Sequence, residues 1–194
     1  PIQAALITQS AFSGNYAYPV LLRNRLKQLK DFKRMELCSG ARTITKLPNA
    51  GGKSVNSEAL SCDLLNMLFH AKLEATEMEL EYFPMQSKIT DFSVSIRKQI
   101  YGVSVTRAMK FSGTFTHKDA VGLLTKKLHG VNVSSQAVLE KYAWKRQVLH
   151  VWAEHSYIAD LLEEAYDTLS DELKSNTIVL VTVCSNASWI FYQK

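Results

Sequence analysis

The sequence predicts an α/β domain in which a central mixed sheet is flanked by helices, and three observations carry that reading. Residues 88–110 (KITDFSVSIRKQIYGVSVTRAMK) alternate in side-chain character with period two across two successive stretches, the pattern of strands with two distinct faces. Residues 177–184 (TIVLVTVC) are continuously apolar and β-branched, as expected of a strand covered on both sides. Between such stretches, residues 54–72, 117–128 and 156–169 place apolar side chains at helical spacing.

Taken from the N-terminus, residues 1–53 carry nine basic against two acidic residues and form a basic helical extension with a linker, ahead of an α/β domain at 54–194. The extension's helix is expected over residues 19–37, with Leu22, Leu26, Leu29 and Phe32 on one stripe and Arg23, Lys27, Lys30 and Arg34 on a basic face suited to phosphates. A solvated basic surface accounts for the same pattern. The link at 46–54 (KLPNAGGKS) places Lys53 ahead of a helix N-terminus, where an anion is favoured. It is not a Walker loop, because Leu47 stands where the first glycine must be.

The helix at 54–72 holds Leu60, Leu64, Leu65 and Leu68 on one face and Glu58 in its first turn, where the helix dipole favours an acid. A meander should follow: residues 78–83 (MELEYF), then the Asp91 strand, then the strand at 101–109. Asp91 is the one acid in a strand of apolar and small polar residues, which makes it a site candidate. Thr116 or His117 opens a helix, followed by a second helical or looped piece to Leu139. Residues 145–154 form a strand with Val148, His150 and Trp152 on one face, and Ser156 caps a helix with a solvated acidic face. The WIFY run at 189–192 suggests a last strand or a partner-contact edge.

Several chemistries are excluded by spacing. Cys38, Cys62 and Cys184 are odd in number and far apart, against both a disulfide framework and a zinc site, and they fit a reducing intracellular compartment. His70, His117, His129, His150 and His155 form no HExxH pattern, and no GxSxG elbow presents a serine. No apolar run approaches the ~20 residues of a membrane span, so a membrane is not an expected partner. With Pro1 at its start, the chain reads as a piece of a longer protein, nuclear or cytoplasmic. Trp144, Trp152 and Trp189 are read as core residues before they are read as base-stacking ones.

Helix, three strands, helix, strand, helix, strand is an order that resembles the PD-(D/E)XK nuclease-like superfamily, whose fold is restriction-endonuclease-like. The matching positions are Glu58 in NSEALS, Asp91 in KITDFSV, and the third-strand slot in YGVSVTR. The resemblance implies DNA or RNA as partner and magnesium or manganese held by Glu58 and Asp91. It also implies a cation beside them to steady charge developing on phosphate. Ser104 and Thr106 occupy the third-strand positions of the family's Glu and Lys, with Lys110 further along the same face and Arg107 on the opposite one. The expectation is therefore a nucleic-acid-binding domain with a degenerate or weakly active nuclease site, a pseudo-enzyme in the limit. Glu58, Asp91 and Lys110 are its candidate catalytic residues. The alternative is a non-catalytic protein-protein interaction scaffold.

Overall fold

Two strands are buried along their whole length, β5 (Arg146–Ala153) and β6 (Ile178–Val183), because helices cover the sheet on both sides. The computed structural model describes residues 11–12, 18–26, 31–47 and 54–192. Within them β1 (Val20–Arg25), β2 (Lys72–Thr76), β3 (Phe92–Ile96), β4 (Gln99–Ala108), β5 and β6 make one sheet in the order β1-β6-β5-β4-β3-β2. The first four in that order run parallel, and β3 and β2 add as an antiparallel meander on the far side of β4. The sheet is mixed, as the sequence predicts.

Side-chain alternation divides the core between the two faces. On one face Val103 and Val105 of β4, Val148 and Trp152 of β5, and Ile178 and Leu180 of β6 pack with α1 (Ser39–Lys46) and α2 (Val55–Phe69). On the other, Leu149, Val151, Val179 and Val181 pack with α3 (His117–Ala137) and α4 (Ser156–Thr168). The two short helices α5 (Asp171–Lys174) and α6 (Ser188–Phe191) complete the chain. Parallel neighbours need crossover segments, and α3 and α4 supply them between β4, β5 and β6.

The start of α3 is fixed by a capping box. Thr116 Oγ1 accepts from Asp119 N, while the Asp119 carboxylate accepts from Thr116 N and Oγ1. The helix then runs unbroken to Ala137, where the sequence suggests a second piece.

Other expectations are corrected. The helix over 19–37 is instead strand β1, followed by a 3-10 turn at Phe32–Arg34. Val20 to Arg25 pair in parallel with Ile178 to Val183, and the gain from extending the sheet over Leu22 outweighs a helical stripe of leucines. Part of the expected extension at 1–53 thus belongs to the sheet. The strand expected at 78–83 is a turn and loop, and the first meander strand lies upstream as β2. Glu79 explains the stop, since its carboxylate accepts from both Thr76 N and Thr76 Oγ1 at 2.8 Å and folds the chain back on itself. The WIFY run forms a helical turn to Phe191, with Ile190 and Phe191 buried, in place of a last strand. Ser156 begins α4 while His155 holds the cap position. Trp152 is core, Trp189 packs against Phe32, and Trp144 lies over Gly102.

Candidate functional site

The site begins with two strands of unequal length. β3 pairs with β4 only from Phe92 opposite Val103 to Ile96 opposite Gln99, whereas β4 continues to Ala108. Beyond Val103 the edge of β4 has lost its strand partner, and its exposed N–H groups need acceptors. Asp91, the residue just before β3, fills that need: its N–H donates to Val103 O at 3.1 Å and its Oδ2 accepts from Val105 N at 2.5 Å. The carboxylate is thereby held at the sheet's edge, within reach of both faces.

Glu58 approaches from the α2 face. It is buried in the first turn of α2, and with Asp91 it lines a cavity of about 450 Å3 that also takes in Thr106, Arg107, Lys127 and Phe111. The two sequence-predicted carboxylates are therefore brought to one pocket. Burial and then the neighbouring Glu58 charge push the Asp91 carboxyl up to about 7, against the opposing pull of the Val105 N–H and the Lys127 ammonium. Asp91 also lines a second cavity of about 240 Å3 on the α3 face, shared with Lys88, Ile89, Lys126 and again Lys127.

The remaining candidates are placed otherwise. Lys110 does not line either cavity; its ammonium pairs with Asp119 at 3.0 Å, because the α3 capping box presents a carboxylate, lowered to about 2, at the strand's end. Arg107 lies opposite to Ser104 as expected, but the Glu58 pocket opens on the Arg107 face. Val103, Val105 and Arg107 lie on the α2 face with Glu58, so Arg107 lines the pocket, with its Nη1 donating to Ile190 O at 3.2 Å. Ser104 is on the α3 face, where its hydroxyl meets Gln147 Oε1 at 3.4 Å; Gln147 Nε2 in turn donates to Ser134 Oγ at 2.7 Å and to Thr90 Oγ1 at 3.2 Å. Thr106 lines the Glu58 pocket.

Among the described residues, the N-terminal basic side chains do not line one helix face. The Arg23 guanidinium is held by Asp160 at 2.6 Å and Glu163 at 3.1 Å on α4, and Arg34 sits in the 3-10 turn. Lys27, Lys30 and Lys53 lie outside the described residues.

Lys127 is the pocket residue that sequence reasoning missed. Its signal was present: Ala120, Leu124, Leu128 and Val131 are the buried stripe of α3, and Lys127 flanks that stripe, half-buried, next to the exposed Lys126. Among the described residues no group of three or more His, Cys, Asp or Glu side chains is gathered as a metal-binding cluster. No helix among them is long and apolar enough to cross a membrane.

No family model matches this chain, and no solved structure matches it. Among curated proteins, it is similar to the AAC-rich mRNA clone AAC4 protein of Dictyostelium discoideum, with 44% identity over 163 residues. That stretch is 80% of this chain and 24% of the relative, so the chain spans about a quarter of the relative's length.

Proposed function

We propose that the domain is a phosphodiester-binding module of PD-(D/E)XK nuclease-like type, acting on nucleic acid with a depleted cleavage site. The observation that carries this reading is the meeting of Glu58, Asp91 and Lys127 at one cavity, two acids and a base from three separate elements. The donor set fits a magnesium or manganese ion. Asp91 is raised by burial and then by the neighbouring Glu58 charge, both of which a divalent cation would offset, and magnesium is commonly held by one or two carboxylates with water and phosphate oxygens completing its shell.

Glu58 and Asp91 would hold the ion, which supplies charge to a phosphate oxygen and lowers the pKa of bound water. Asp91 is oriented for this by Val105 N, so its carboxylate does not depend on a mobile side-chain partner. Lys127 would stand beside the phosphate as the cation that Lys110, paired to Asp119, does not provide. The third-strand carboxylate is missing, with Ser104 tied to Gln147 and Thr106 offering only a hydroxyl. Weak or absent cleavage follows.

Purified protein incubated with labelled single- and double-stranded DNA and RNA tests the reading, alongside an Asp91→Ala control. Binding with little cleavage in magnesium, at most weak cleavage in manganese, and loss of both cleavage and metal dependence in the control is the expected result. No binding to any nucleic acid would sink the reading and favour the protein-interaction scaffold, for which the exposed Met78, Phe83 and Met85 would be the docking side chains.

A further inference from the structure

The two cavities are neighbours that share Asp91 and Lys127 as lining residues, one on the α2 face and the other on the α3 face of the sheet. Their outer ends differ in chemistry. At the α2 end stands Phe111, 94% exposed although it lines a polar pocket, where a phenyl ring left in water forgoes the gain of burial. At the α3 end are Lys88, Lys126 and His129, with no acid other than Asp91 among the residues lining that cavity. Basic residues line one cavity, an open aromatic ring lines the other, and the Asp91–Lys127 pair lines both.

We infer that the two cavities act as one groove that takes single-stranded nucleic acid, with one phosphate at the Glu58–Asp91–Lys127 centre, a neighbouring phosphate beside Lys88 and Lys126, and a base stacked on Phe111. This rests on the phosphodiester reading and adds the strandedness of the substrate. The bases of a duplex are stacked on one another inside the helix, so an aromatic ring at the pocket's lip is of use to a base that has left its stack. A base on an aromatic platform is sequence-tolerant, since every base offers a π-face. The lysines contribute through counterion release and carry no base preference.

The test is fluorescence anisotropy with labelled oligothymidylate, oligouridylate and a hairpin duplex, in calcium, which takes the same oxygen ligands as magnesium. Phe111→Ala is expected to weaken binding of the single strands by about 5- to 100-fold while leaving the salt slope unchanged. Lys88→Ala with Lys126→Ala should flatten the salt slope by roughly 0.7 per lost phosphate contact. Phe111, Lys88 and Lys126 are all exposed, so folding is not at stake. Tighter oligouridylate assigns RNA as the source of the strand, and tighter oligothymidylate assigns DNA. Duplex bound as tightly as single strand, or Phe111→Ala without effect, overturns the inference while Asp91-dependent binding leaves the phosphodiester reading standing. If no oligonucleotide of any form binds, both fall.

Discussion

Replacing Asp91 by Asn separates a carboxylate that holds a cation from one that merely caps a strand. The carboxyl is raised from its ordinary 3.8 to about 7 by burial and by Glu58, so the folded protein binds that proton more tightly than the unfolded chain. The stabilising contribution is present below about pH 3.8 and is lost as the pH rises through about 7. At 1.36 kcal/mol per unit, and with Asp91 keeping some contact with water, the ionised carboxylate costs about 2 to 4 kcal/mol in metal-free protein. Asn cannot ionise, and its Oδ1 still accepts from Val105 N. Urea denaturation in a chelator should therefore show Asp91→Asn more stable than wild type by that amount at about pH 8 and nearly equal to it at about pH 4. Manganese should then raise the wild-type midpoint at the higher pH and leave the variant unmoved. A variant less stable than wild type at both pH values, with an equal response to manganese in both proteins, would refute the reasoning and reduce Asp91 to a strand cap.

The buried His150, whose ring nitrogens meet Ser61 Oγ at 2.7 Å and Thr182 Oγ1 at 2.9 Å, is pushed down to about 3 by burial. Its stabilising effect is complete above about pH 6.5 and is lost as the pH falls toward about 3, so His150→Gln in the Asp91→Asn background should flatten the acid limb of the urea midpoint. Gly102→Ala would set a Cβ 2.7 Å from the Trp144 ring, which Ser135 anchors at 3.0 Å, and thermal unfolding should register a loss of about 1–3 kcal/mol. Arg23→Ala breaks an exposed ion pair with α4, so it should cost under about 1 kcal/mol and leave oligonucleotide affinity unchanged in the anisotropy assay.

What the sequence made legible followed from local pattern. β4, β5 and β6 were readable because period-two alternation and unbroken β-branched runs are patterns that helices and loops rarely produce, and Thr116 or His117 marked the opening of α3. Asp91 was readable as a chemically misplaced residue, whereas Glu58, an ordinary first-turn acid, was singled out only by the family resemblance. The misreadings came where a specific partner overrides the local pattern: β1 exists because distant β6 offers it an edge, and β2 ends because the Glu79 side chain turns back on Thr76 three residues away. Lys127 was hidden for the same reason, since its distance in sequence from Asp91 says nothing of the cavity they share. Lys110 had the right face and chemistry, but a capping carboxylate on the next helix draws it away.

The uneven ends of β3 and β4 also bear on how this site would age in a lineage. An acid positioned by a main-chain N–H is indifferent to what the opposing strand's side chains become, so β4 can drift to serine and threonine without dislodging Asp91. The position of that carboxylate is therefore written into strand length, and no change confined to the side chains of β4 would move it.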